Sequence, residues 1–75
     1  MINMELKFAD TLTPDQLMIE DLIKFGDEIV EVLNIESDAT GDTYFVAYID
    51  EYGNKDVAEF YHTDLISLYV YVEED

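Results

Sequence analysis

The chain is predicted to be an all-β domain, a small barrel or sandwich, and three observations predict it. After Asp21, short runs rich in Ile, Val, Phe and Tyr recur at close spacing. A turn former, Gly, Asp or Asn, stands between most of them. The one local helix signal, at 13–17, is confined to a single turn. At 75 residues and 8.7 kDa the chain is one small domain.

Residues 1–10 read as a short strand or arm, Ile2 to Phe8, with imperfect alternation. Thr13-Pro14-Asp15-Gln16-Leu17 carries a cap, a proline suited to the first helical position, and a glutamine three residues after the cap. A single 3₁₀ or α turn is expected there. Leu22–Phe25 is a short strand, and Gly26-Asp27 a two-residue turn with glycine first. Glu28 to Glu36 is the next strand, followed by a loop over 37–42. Thr43 to Ile49 alternates aromatic and aliphatic residues. Glu51-Tyr52-Gly53-Asn54 turns the chain into a strand from Asp56 to Tyr61. His62-Thr63-Asp64 connects to a last strand, Leu65 to Val72, and 73–75 reads as a frayed acidic tail. The expected organisation is one domain over 1–75: an N-terminal arm and helical turn at 1–17, a β body at 18–72, and the tail.

The run from Asp21 through Gly26-Asp27 to Ile35 resembles the opening of SH3-like small barrels, where a Gly-Asp turn precedes a long bent strand. The tight turn at Tyr52-Gly53-Asn54 and the connector at 62–64 fit the same pattern. The resemblance implies an SH3-like barrel of about five antiparallel strands, and it implies no activity.

Period two assigns faces along each strand. Phe45, Ala47 and Ile49 form one row and Tyr44, Val46 and Tyr48 the other, so both faces are apolar. The last strand repeats this with Ile66, Leu68, Val70 and Val72 against Leu65, Ser67, Tyr69 and Tyr71. A half-exposed antiparallel strand usually shows one polar row. A homodimer seam is one explanation; half-exposed tyrosines with wet hydroxyls are the other.

Charge is the strongest signal. Nineteen acids face three lysines and the formal charge is −16, yet 49% of the residues are hydrophobic. A disordered acidic tail lacks such apolar content. A folded chain so charged is destabilised by self-repulsion. Crowded carboxylates would hold protons more tightly when folded, so moderate acidification or added salt is expected to stabilise the fold. The N-terminal residues lack a basic segment and a long apolar run, and no run approaches a membrane span. A cytoplasmic protein is expected, without cofactor or membrane partner.

Catalysis is not indicated. His62 is the sole histidine, there is no cysteine, and Ser37 and Ser67 stand in no nucleophile motif. Adjacent acids such as Asp27-Glu28 and Asp50-Glu51 arise by chance among nineteen. Neither 38–42 nor 50–54 has the spacing of a calcium loop. The acids instead recur every few residues. Same-face residues of a strand are about 6.7 Å apart, comparable to a nucleotide step on a phosphate backbone. Salt adaptation would also enrich acids, but it trims the large apolar side chains that abound here.

In composition and charge layout the chain is similar to bacteriophage-encoded DNA-mimic proteins. That resemblance implies inhibition of a basic DNA-binding protein of the host, with an HU-type nucleoid protein first, and no direct contact with nucleic acid. The expected partner-binding residues are Glu28, Glu31, Glu36, Asp38, Asp42, Asp50, Glu51, Asp56 and Glu59. The alternative is an SH3-like adaptor or assembly module for a protein or peptide, its acidity serving solubility.

Overall fold

A computed structural model describes residues 3–74; Met1, Ile2 and Asp75, from the predicted arm and tail, lie outside the described residues. Six strands form one antiparallel sheet: β1 (Asn3–Leu12), β2 (Leu22–Phe25), β3 (Glu28–Ser37), β4 (Thr43–Ile49), β5 (Lys55–Tyr61) and β6 (Ile66–Glu74). A three-residue 3₁₀ turn, Pro14–Gln16, joins β1 to the segment before β2. The all-β prediction holds, and so do the one helical turn and the turn positions. This turn is the only helix among the described residues, and none is long and apolar enough to cross a membrane.

The arm and the tail both differ from expectation. The arm is a full ten-residue strand, so there are six strands and not five. The tail is not frayed through its length, because Glu73 and Glu74 continue β6 and pair with Met4 and Asn3. The sheet also stays open. Its order is β1-β6-β2-β3-β4-β5, which leaves β1 and β5 as edges and closes no barrel. Closure would need the edge strands β1 and β5 to pair, and the four-residue β2 is the narrowest link between them. It meets β6 only at Leu22↔Tyr69 and Ile23↔Leu68. Beyond Tyr69, β6 pairs with β1 alone among the described residues, as a two-stranded ribbon.

Turn chemistry explains the meander β2 to β5. Gly26, Gly41 and Gly53 all have positive φ, at 65°, 77° and 85°. Gly26 thereby takes the first position of the tight β2–β3 turn. Before β2, the Thr13 amide donates to Gln16 Oε1 at 3.1 Å, the reciprocal half of a capping box. This turn sends Pro14 and Leu17 into the core.

One face of the sheet is the core. Ile23 pairs with Val30, Val32 with Tyr48, and Ile35 with Val46, which pairs in turn with Ala58. Ile23, Val30, Val32 and Val46 are each at most 1% exposed, and Leu17 and Ile66 close over them. Phe25 packs its ring on Tyr48 and edge-on to Phe60, with centroids 5.2 and 6.0 Å apart. Leu12, before the helical turn, also packs here, so the core reaches outside the expected 18–72 body.

Two bulges shape the sheet. In β3 the register shifts between Val32 and Asn34, and in β1 between Phe8 and Asp10. A bulge bends its strand and reverses the parity of the residues beyond it. Val32 and Ile35 therefore face the same core although three residues apart.

One backbone position is strained. Glu20 has φ of 80° without being glycine. Its amide donates to the Val32 carbonyl and the Asp21 carbonyl accepts from the Val32 amide, both at 2.8 Å, which holds it there. Left-handed backbone costs an L-residue about 1–2 kcal/mol, part of which glycine returns in unfolded-chain entropy. Glu20→Gly is expected to raise stability by about 0.5–1 kcal/mol on that balance. Glu20→Gln, which removes the same charge and keeps the strain, is the control; urea midpoints compare them. Ile23→Ala, in so small a core, is expected to lose about 2–4 kcal/mol. An unchanged midpoint for that variant would contradict the placement of the core.

Candidate functional site

The nine expected acids do not share one face. On β3, parity alone would put Glu31 and Glu36 on opposite sides. The bulge brings them to the same outer face, because Glu31 pairs with Ile49 and Glu36 with Phe45. Glu59 joins them, since it pairs with Phe45 from the other side. Glu28, opposite Phe25, and Asp56, opposite Tyr48, fall on the core side at its rim. Asp38 and Asp42 lie in the β3–β4 loop, whereas Asp50 and Glu51 form the β4–β5 turn at the other end of β4. A seven-residue strand separates these ends by roughly 20 Å.

Several acids have structural work. Asp38 Oδ1 accepts from the Thr40 hydroxyl at 2.9 Å and the Asp42 amide at 3.1 Å. Asp50 Oδ1 accepts from the amides of Tyr52 and Asn54 at 2.9 and 2.8 Å. Asp21 Oδ2 accepts from the Met18 amide, and Asp64 Oδ2 from the Tyr61 amide. These carboxylates close loops. Asp42 stands 3.8 Å from His62 Nε2, with both side chains more than half exposed. Among the described residues no group of three or more His, Asp or Glu could hold a metal ion.

The turn end concentrates negative field. Glu28, Asp50, Glu51 and Asp56 surround two tyrosines that register it. Desolvation first, then the charges of Asp56, Glu28 and Asp50, push the Tyr48 phenol above its ordinary 10.0. For Tyr52 the charge of Glu51 comes first, then a hydrogen bond with it, with Glu28 and Asp50 adding.

Beside these acids the outer face sinks into an open hollow of about 400 Å³. Its floor is Leu6, Leu22, Ile29, Ile49 and Tyr71, drawn from five strands. Its rim is Asp27, Glu31, Asp50 and Glu51, with Glu28 lining it from the end of β3 although its register faces the core. One cross-strand row spans the whole sheet here: Phe8, Tyr69, Leu22, Glu31, Ile49 and Lys55. Glu31 is thus a partly buried residue between two aliphatic neighbours in mid-sheet. Sequence reasoning reached the rim, apart from Asp27, and missed the floor. The double apolar rows of β4 and β6 were its signal.

Between its charged residues the outer face also carries uncovered apolar side chains. Phe8, Val57, Tyr61 and Tyr71 are each more than half exposed. The chain matches no protein family, no curated protein and no solved structure.

Stability should fall at both ends of the pH scale. Asp38 and Asp50 are held below the usual 3.8, first by the Thr40 hydroxyl and the Asn54 amide respectively. Groups with depressed folded values stabilise above the unfolded value, and lose that contribution as pH falls through the folded one. This is opposite in sign to the crowding expected from composition. Tyr48 and Tyr52, raised, hold protons more tightly when folded, so their contribution is complete below 10.0 and lost as pH rises through the folded value. Urea midpoints across both ranges test this. Asp50→Asn should flatten the acid limb and Tyr52→Phe the alkaline limb.

Proposed function

We propose that this protein is a DNA mimic of bacteriophage type, which occupies the DNA site of a basic host protein in the cytoplasm and prevents DNA from binding. The placement of charge carries the reading. A net −16 is spread over a β body measuring 48 × 25 × 20 Å, on both faces and at both ends. That is one net charge per roughly 3 Å of length, Asp75 counted, against about one per 1.7 Å for duplex DNA. The length matches about 14 base-pair steps of ~3.4 Å. A rigid lattice of this density competes for lysines and arginines that otherwise contact phosphates.

An HU-type nucleoid protein is the first target. Architectural proteins of this kind rely on backbone charge and bending with little base readout. A surface that copies charge and not base edges is sufficient against them. Association is steered by the long-range field and weakens as salt rises.

A specific observation favours a second reading, an adaptor for a protein partner. It is the uncovered apolar outer face with Phe8, Val57, Tyr61 and Tyr71. A second copy of the chain could also use that face, and sedimentation of the free protein decides this.

Competition separates the two readings. The protein should displace labelled DNA from a purified HU-type protein, with steep loss as salt rises, and should not bind the DNA itself. Joint replacement of Glu28, Glu31, Asp56 and Glu59 by lysine should abolish displacement with the β spectrum unchanged. Single replacements outside the hollow should each matter by under ~1 kcal/mol. Displacement by the quadruple variant would end the mimic reading. Binding that survives high salt and disappears with Tyr61→Ala, outside the hollow, would establish the adaptor.

A further inference from the structure

We propose that the hollow on the outer face anchors one arginine side chain of the partner, with its stem on Leu22, Ile29 and Ile49 and its guanidinium on Glu31. The inference rests on the reading of the partner as a basic protein, and it adds a defined contact to a diffuse field.

The shape and chemistry of the hollow select this occupant. Its floor is aliphatic apart from Tyr71, and five acidic residues line the hollow, against the two lysines Lys24 and Lys55 cross-strand from Ile29 and Ile49 on the same face. An apolar floor under an acidic rim suits neither an anion nor a neutral aliphatic chain. It suits a cation carried on a methylene stem. Glu31 is placed for the head group: half-buried, and flanked across the sheet by Leu22 and Ile49. Glu31 is partly buried as a residue whereas Glu36 is exposed, so a cation that reaches it is shielded from solvent by more protein. Tyr71, 57% exposed at the hollow, offers a ring face for a planar guanidinium. Arginine combines bidentate pairing with stacking, which lysine does not.

The remaining lining acids act at longer range. Asp50 is already engaged by the amides of its own turn. Glu28 and Glu51 belong to the field that reaches Tyr52. Glu36 supplies the comparison, because it lies on the same outer face, carries the same charge and does not line the hollow.

The test is a fluorescence anisotropy titration of the full chain with a short labelled arginine–glycine repeat peptide. Glu31→Gln should weaken binding about fivefold or more and Glu36→Gln less than about twofold, as partly buried and exposed pairs differ. Ile49→Trp, which fills the floor, should weaken binding as Glu31→Gln does, with its urea midpoint checked to show that it folds. Equal effects of Glu31→Gln and Glu36→Gln, or no binding by the wild type, would overturn the anchor. The HU competition assay is run on the same proteins. If the lysine quadruple variant loses competition while Glu31→Gln and Glu36→Gln behave alike, the anchor falls and the mimic reading stands. If peptide binding keeps the expected order but no protein displaces DNA, the anchor stands and the mimic reading falls.

Discussion

The surface of this protein depends on how few side chains hold its sheet together. Ile23, Val30, Val32 and Val46 exclude water almost completely, with Leu17, Ala58 and Ile66 around them. Against this small interior stands a net charge of −16 that favours expansion. The fold resolves the conflict by geometry. No buried polar or charged side chain is found among the described residues, so desolvation is kept off the core. The carboxylates are placed at strand rims, turns and the outer face, where water screens them.

Part of that acid inventory lowers the cost of its own presence. Asp38 and Asp50 each accept two hydrogen bonds inside their loops, and Asp21 and Asp64 each satisfy a backbone amide. A negative charge paired with amide dipoles repels its neighbours no less, but it closes a turn that glycine alone would leave loose. Composition suggests a single population of acids. The structure divides them into those that build loops and those that project a field.

Much of the fold was legible in the sequence for local reasons. Gly26, Gly41 and Gly53 mark turns because each needs a positive φ. Thr13, Pro14 and Gln16 mark the helical turn because capping is a three-residue property. The illegible part is non-local. β1 was obscured by its bulge between Phe8 and Asp10, which breaks the alternation a strand is recognised by. Closure could not be read, because it depends on whether β1 and β5, far apart in sequence, pair at the two edges. The candidate site was half legible for the same reason. The acids of the rim are visible as residue types. That Glu31 and Glu36 share a face follows only from the extra residue in β3, and that Leu6, Leu22, Ile29 and Ile49 meet follows only from the curvature of the whole sheet.

The juxtaposition of a diffuse field and a local hollow has a physical consequence for selectivity. A uniformly charged lattice attracts every basic surface, and its pairwise contacts are individually weak and screened. It therefore gives speed of encounter more than discrimination among partners. Discrimination needs a contact whose energy depends on shape. On the proposed reading the row from Phe8 to Lys55 supplies one, because it sets the partly buried Glu31 between Leu22 and Ile49. A basic protein that presents a side chain at that point can dock in a fixed register, whereas one that presents only charge slides over the surface. On the proposed reading, field and hollow would divide the work of recognition, the first bringing a basic partner near and the second fixing how it sits.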